Sequence, residues 1–248
     1  AIDDLEAFKR PVLRAGAHRA LGRATHLRAS WAQGFRYPSI AELYSASAAG
    51  VLQVFPRPGL KPEQGWTAEL ALRQAFKGRG GLKGYADLAL FRTEFRDMLE
   101  FSFGQWANVP NAGLANFGFT SLNVGPTRIQ GLEATAVGEA KLGPGQLQAM
   151  LSYTFAQPIA LEPEKVYATD AAGSELTYNS TSLDPSKNVL KYRYRHVGKA
   201  DVAYTWRRVT AAFSVRANSF MENIDGIFTS PLVSIYVPGV ADSRYFTQ

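Results

Sequence analysis

The sequence contains no cysteine. That absence excludes disulfides, thiolate metal sites and cysteine nucleophiles, and it leaves the redox compartment open. Histidine is scarce: His18, His26 and His196 are far apart along the chain, with no spacing of the H-E-x-x-H kind that binds metal. Long apolar runs are missing too. Nothing approaches the roughly eighteen residues of a membrane helix, so a helical span is excluded. A membrane β-barrel is not, because its strands carry their apolarity in every second residue. The mean hydropathy of −0.14 averages over both faces of such a strand and so decides nothing.

Nucleophile elbows, P-loops and S-x-x-K pairs are also lacking. Gly78-Arg79-Gly80-Gly81 suggests a phosphate cradle, but it sits between two strand patterns rather than before a helix, and reads as a hairpin turn. The sequence therefore predicts no enzyme, no bound metal and no cofactor. The net charge of +6 comes from basic residues scattered among acidic ones. No dense basic face emerges, so nucleic acid is not an expected partner.

What is present is alternation with period two. Leu13, Ala15 and Ala17 alternate with Arg14, Gly16 and His18, and after the turn at Leu21-Gly22-Arg23-Ala24 a second strand sets Leu27, Ala29 and Trp31 against His26, Arg28 and Ser30. Trp66, Ala68, Leu70 and Leu72 oppose Thr67, Glu69 and Arg73 in a third. The fourth, Leu82 to about Leu99, loses its phase between Phe91 and Phe95, which predicts a bulge. Strands five to eight run over Thr127–Gly138, Gln146–Phe155, Lys199–Trp206 and Val209–Asn218. Pro38 ends the second strand, having no N–H for the ladder, and Ser39 with Glu42 reads as a capping box opening one helical turn.

Connections alternate between short turns and long loops. Outer-membrane barrels sort their loops in this way, with short periplasmic turns and long extracellular loops, whereas a soluble sandwich has no reason to. Arg14, Arg28, Glu69, Arg73, Asp87, Glu133, Lys199, Asp201 and Arg216 all fall on the polar side of their strands. On a lipid face, a charge near the midplane costs about 2–4 kcal/mol; in a wet lumen it is paired or hydrated. Aromatic strand ends such as Trp31, Trp66, Tyr153, Phe155, Tyr204 and Trp206 suit headgroup level.

The run Gln33-Gly34-Phe35-Arg36-Tyr37-Pro38-Ser39-Ile40-Ala41-Glu42-Leu43-Tyr44, followed by Leu60-Lys61-Pro62-Glu63-Gln64-Gly65-Trp66-Thr67-Ala68-Glu69-Leu70, resembles a barrel segment of TonB-dependent outer-membrane receptors. Ala89-Leu90-Phe91-Arg92-Thr93-Glu94-Phe95-Arg96-Asp97-Met98-Leu99 and Arg128-Ile129-Gln130-Gly131-Leu132-Glu133 resemble the family's next strand signatures, in the family's order. The resemblance implies an all-β fold, an antiparallel up-and-down transmembrane β-barrel of about twenty-two strands, of which residues 1–248 are a part lacking the plug and closing strands. It also implies location in the bacterial outer membrane and contact with its lipid. The implied activity is uptake of a scarce small-molecule nutrient, foremost a ferric siderophore, powered by the TonB complex acting through the absent plug. Glycans and cobalamin are the alternative cargoes.

Recognition belongs to loops. Arg36, Tyr37, Phe103, Trp106, Asn108, Asn111, Tyr167, Tyr178 and Tyr192 offer stacking faces and hydrogen-bonding groups there, and are the candidate ligand residues. Two competing readings are a complete small barrel and a soluble carbohydrate-binding sheet. The ends, Ala1-Ile2-Asp3-Asp4 without an initiator Met and Arg244-Tyr245-Phe246-Thr247-Gln248 in a loop or strand start, read as those of a fragment.

Overall fold

The computed structural model describes residues 11–49, 52–235 and 239. The readings of Ala1-Ile2-Asp3-Asp4 and Arg244-Tyr245-Phe246-Thr247-Gln248 lie outside the described residues. In chain order the elements are β1 (Arg14–Ala20), β2 (Thr25–Arg36), α1 (Ile40–Tyr44), β3 (Ser47–Ala49), β4 (Leu52–Phe55), β5 (Glu63–Lys77), β6 (Lys83–Arg96) and β7 (Leu99–Gln105). There follow β8 (Phe117–Asn123), β9 (Thr127–Leu142), β10 (Gly145–Ala160), β11 (Val166–Thr169), β12 (Glu175–Thr177), β13 (His196–Trp206) and β14 (Val209–Asn218).

Eight of these form one antiparallel sheet in the order β1-β2-β5-β6-β9-β10-β13-β14, an up-and-down meander that remains open. Short turns close one end, as at Gly143-Pro144 and Arg207-Arg208, and all the long connections leave from the other. Gly80 and Gly81 at the β5–β6 turn take φ of 67° and 70°, a region that favours glycine. Within the sheet, glycine serves close approach. A Cβ on Gly131 would lie 1.9 Å from the Phe155 carbonyl oxygen, and one on Gly84 2.1 Å from that of Val137.

The predicted bulge in β6 is not there. Pairing runs without a shift from Gln64↔Arg96 to Lys77↔Lys83 on one side and from Lys83↔Glu139 to Phe95↔Thr127 on the other. The backbone keeps its phase while the chemistry reverses. Leu88 and Leu90 share a face with Arg92 and Glu94, and Asp87 shares the opposite face with Phe91 and Phe95.

Register makes the sheet two-sided. Leu70, Leu72, Leu88, Leu90, Leu151, Val202, Phe213 and Val215 lie on one face by their pairings, and all are exposed, Phe213 at 69%. The nine charges from Arg14 to Arg216 lie on the other. Apolar surface on this scale, left uncovered by the chain itself, marks an interface with another apolar phase. Among the described residues no helix is long and apolar enough to cross a membrane.

The buried core lies in the long connections. A four-stranded sheet, β3-β4-β8-β7, joins the first long loop to the second, and β11 and β12 form a hairpin in the third. Met98, Leu122, Val124, Ala160, Tyr178 and Leu190 make one cluster, and Phe103, Ile224 and Phe228 another.

Candidate ligand-binding face

The first long loop begins as its sequence dictates. Ser39 Oγ accepts from the Glu42 N–H at 3.2 Å and Glu42 Oε2 accepts from the Ser39 N–H at 2.7 Å, the reciprocal capping box that starts α1. Glu42 also accepts from Arg36 Nη1 at 3.3 Å and from Ser121 Oγ at 3.1 Å, which ties this turn to β8. Burial pushes its carboxyl up, but the bonds from Ser39, with Arg36 and Ser121, more than offset that and hold it below the ordinary value. Further on, Asn123 accepts from the Lys61 N–H at 2.8 Å and donates to the carbonyls of Lys61 and Asp97.

The other loops meet at Asp225, a residue of the segment after β14. Its carboxylate accepts four bonds: Lys191 Nζ at 2.7 Å, Tyr192 Oη at 2.6 Å, the Phe103 N–H at 2.9 Å and Ser102 Oγ at 3.1 Å. Beside it, buried Glu100 accepts from Arg193 at 2.9 Å and from Tyr178 Oη at 3.2 Å, and Tyr178 Oη accepts from the Lys191 N–H at 2.6 Å. Burial raises the Glu100 carboxyl above the ordinary carboxylate range, with Arg193 opposing it. Burial also raises the Tyr178 and Tyr192 hydroxyls, so both stay protonated donors, and pushes Tyr167 up to about 12.

This arrangement divides the nine loop candidates. Phe103 and Tyr178 are buried, at 5% and 1% exposure, and Tyr192 is committed to Asp225. Those three hold loops to one another and present little surface to a ligand. Tyr167 is half-buried and bonds Thr181 at 3.0 Å, while Trp106 is half-buried with its indole N–H donating to the Gly118 carbonyl at 3.1 Å. Arg36, Tyr37, Asn108 and Asn111 are exposed. Arg36 leans on Glu42 and Glu63, and Asn111 takes a positive φ of 63° at a loop tip.

On the charged face of the main sheet, Asp87 bridges Arg28 at 3.2 Å and Arg73 at 2.7 Å, and Lys199 pairs with Asp201 at 3.0 Å. Asp201 also bonds Ser214, and Arg216 Nε donates to Asn218. Arg14, Glu69 and Glu133 form no ion pair among the described residues. His18 and His26, eight residues apart on the two arms of one hairpin, are brought together by the β1–β2 pairing, with ring nitrogens 3.2 Å apart. Among the described residues no group of three or more histidines and carboxylates is placed to hold a metal ion.

A cleft of about 380 Å³ opens where the first three long loops meet, within the range of small-molecule sites. Arg57, Lys61 and Lys165 bring three cations to it, Asp97 and Glu162 two carboxylates, and Tyr167 an aromatic edge. Lys165 is held by Glu162 at 2.7 Å, while Arg57 lies over the Trp106 ring at 5.8 Å. The sequence reading passed over these cations. The signal for Arg57 and Lys61 is the cluster of basic residues and prolines between Pro56 and Pro62; Lys165, in the acidic run Glu162-Pro163-Glu164-Lys165, carries none.

The fold recurs among solved structures. The chain superposes on the Serratia marcescens hemophore receptor HasR with a TM-score of 0.54 at 16% identity, covering 86% of this chain and 32% of that one. On the siderophore receptor PirA from Pseudomonas aeruginosa the TM-score is 0.52 at 12% identity, with 86% and 34% covered. On the copper transporter OprC it is 0.51 at 18% identity, with 85% and 27% covered. The chain thus spans about a third of the length of these structures, and at such identities the likeness is one of fold. No curated protein sequence is a significant match. The family described as TonB dependent receptor-like, beta-barrel matches residues 20–241, nearly the whole two-faced sheet with its loops, and the chain belongs to that family.

Proposed function

We propose that this chain forms part of the wall and the outer loops of a bacterial outer-membrane receptor that captures a ferric siderophore and admits it under power from the TonB complex. The observation that carries the reading is the sorting of the structure along the strands. Apolar residues cover one face, charges the other, turns close one end, and the other end bears a folded loop assembly containing a basic cleft. Long loops mark the extracellular end of such barrels.

The cleft's three cations exceed its two carboxylates by one, Glu162 pairing Lys165, and this excess with an aromatic edge in a cleft of small-molecule size suits an anionic ferric chelate. Arg57, Lys61 and Lys165 would attract the ligand, while exposed Arg36, Tyr37, Asn108 and Asn111 and the half-buried Trp106 would offer further polar and stacking contacts. The charges from Arg14 to Arg216 would then line a wet lumen, paired or hydrated beside a plug domain. No covalent chemistry is required of this chain.

The test is growth of a strain deleted for the whole gene, supplied with single ferric siderophores as the iron source. The reading predicts loss of growth on at least one of them, restored by the gene. Undiminished growth on every siderophore that the parent strain uses would contradict it.

A further inference from the structure

The β1–β2 register sets His18 opposite Arg28 and Ala20 opposite His26. The two histidines therefore stand diagonally across the hairpin on its polar side, close to the turn. Nε2 of His18 faces Nδ1 of His26 at 3.2 Å, with the rings within 13° of parallel. His18 is exposed and His26 half-buried, so solvent ions reach the pair. Neither ring has another hydrogen bond among the described residues. Nothing else therefore fixes which nitrogen carries the proton.

The neighbouring charges are drawn away from the rings. Arg28 is paired with His18 and Arg73 with His26, and both guanidiniums go to Asp87 on β6, at 3.2 and 2.7 Å, Arg28 reaching across β5 to do so. No carboxylate is paired with either histidine across the strands. The donors at this spot are two imidazoles alone.

Their spacing suits a shared metal ion. Two nitrogens each about 2.0–2.1 Å from one ion stand about 2.9 Å apart at a right angle and about 3.3 Å apart at the tetrahedral angle. The observed separation of 3.2 Å lies between these. Imidazoles without a carboxylate favour copper(II), nickel(II) and zinc(II), whereas calcium and magnesium need oxygen donors. Arg28 and Arg73 against one Asp87 leave a positive charge nearby that opposes every divalent cation alike. The ion best able to overcome it is copper(II), at the head of the divalent series.

We infer that His18 and His26 form a two-imidazole site for a divalent transition-metal ion, copper(II) foremost, with water completing the coordination. On binding, the proton between the facing nitrogens moves to the outer nitrogen of its own ring, and both bared lone pairs turn to the ion. One hydrogen bond is exchanged for two metal–nitrogen bonds, and the ion ties β1 to β2 beside their turn. The inference stands on this hairpin and is independent of the cargo proposed above.

The experiment uses the full-length protein containing this chain in neutral detergent, stripped of metal and titrated with copper(II) chloride alone, then with zinc and calcium chlorides. Calorimetry counts the equivalents bound, and electron paramagnetic resonance reads the nitrogens on the copper. The parent should bind one equivalent more than H18Q/H26Q, and the difference spectrum should show splitting from two nitrogens. H18Q and H26Q alone should each weaken that equivalent at least about tenfold and leave one nitrogen. Zinc should compete for it and calcium should not. Equal copper uptake by the parent and H18Q/H26Q, a difference spectrum with oxygen donors only, or displacement by calcium as readily as by zinc would overturn the site. Each of those results would leave the uptake reading standing.

Discussion

Lys191 donates from Nζ to Asp225 Oδ1 across 2.7 Å, with the two side chains only 3% and 1% exposed. One residue comes from the third long loop and the other from the segment after β14, so this ion pair is a clasp between loops remote in sequence. Asp225 has every lone-pair direction occupied, which is the condition under which a buried charge is tolerated. Removing one partner leaves the other charged, buried and unpaired.

K191M is therefore expected to destabilise the loop assembly by about 3–5 kcal/mol. Hydrogen exchange should report it as faster exchange at Phe103, Tyr178 and Tyr192, with little change in β9 and β10. The double variant K191M/D225L should cost less than the sum of the single changes, because it strands no charge. Equal protection of the loops in K191M and the parent would contradict the clasp.

The capping box gives a pH prediction. The Glu42 carboxyl lies below its ordinary value of 4.5 in the folded loop. The unfolded loop therefore takes up its proton first as pH falls. The stabilisation is complete above about pH 4.5 and is lost as pH drops through the lower, folded value. Protection of the α1 amides, taken relative to the intrinsic exchange rate at each pH, should fall below about pH 4.5 in the parent and be flatter with pH in E42Q. Ser39→Ala should weaken the turn by about 1 kcal/mol at neutral pH.

The basic cleft predicts ligand affinity. On the proposed siderophore reading, replacing Arg57, Lys61 and Lys165 with glutamine together should raise the Kd for a ferric siderophore whose use depends on the gene about ten- to hundredfold, as read by tryptophan fluorescence. Most of the loss should disappear at high salt, where exposed charges are screened. An unchanged Kd would place the ligand elsewhere on the loops.

Glycine at the strand crossings is open to test as well. Gly131→Ala would drive a Cβ to within 1.9 Å of the Phe155 carbonyl unless β9 and β10 move apart. The expected cost is about 1–3 kcal/mol of barrel stability, measured by urea unfolding in lipid vesicles. Gly34→Ala, where a Cβ meets nothing within 4 Å, should cost far less.

The strands of the wall were legible because Leu147, Ala149, Leu151 and Tyr153 alternate with Gln146, Gln148 and Ser152, Met150 being the one apolar residue on the polar side of that stretch, and one exposed apolar face demands that period. The capping box was legible because it is local. The loop sheet was not. Its parallel pairing of β4 with β8 joins segments as distant as Phe55 and Thr120, 65 residues apart, and asparagine and glycine between them read as irregular chain. For the same reason Phe103, Tyr178 and Tyr192 looked available to a ligand: their partners Glu100 and Asp225 are brought in by tertiary folding. At Phe91 to Phe95 the hydrophobic pattern inverted where the strand passes out of the apolar band, and the inversion mimicked a bulge.

The sidedness of the wall is the claim on which the rest depends, and β10 tests it most directly. With no native cysteine in this chain, single cysteines placed in turn at residues 146–155 of the full-length protein in lipid vesicles can each carry a spin label. Accessibility to oxygen, which partitions into lipid, should peak at Leu147, Ala149, Leu151 and Tyr153, and accessibility to a water-soluble nickel complex at Gln146, Gln148, Met150 and Ser152. Nickel accessibility that is highest at Leu147, Ala149 and Leu151, or that has no period of two, would contradict the account.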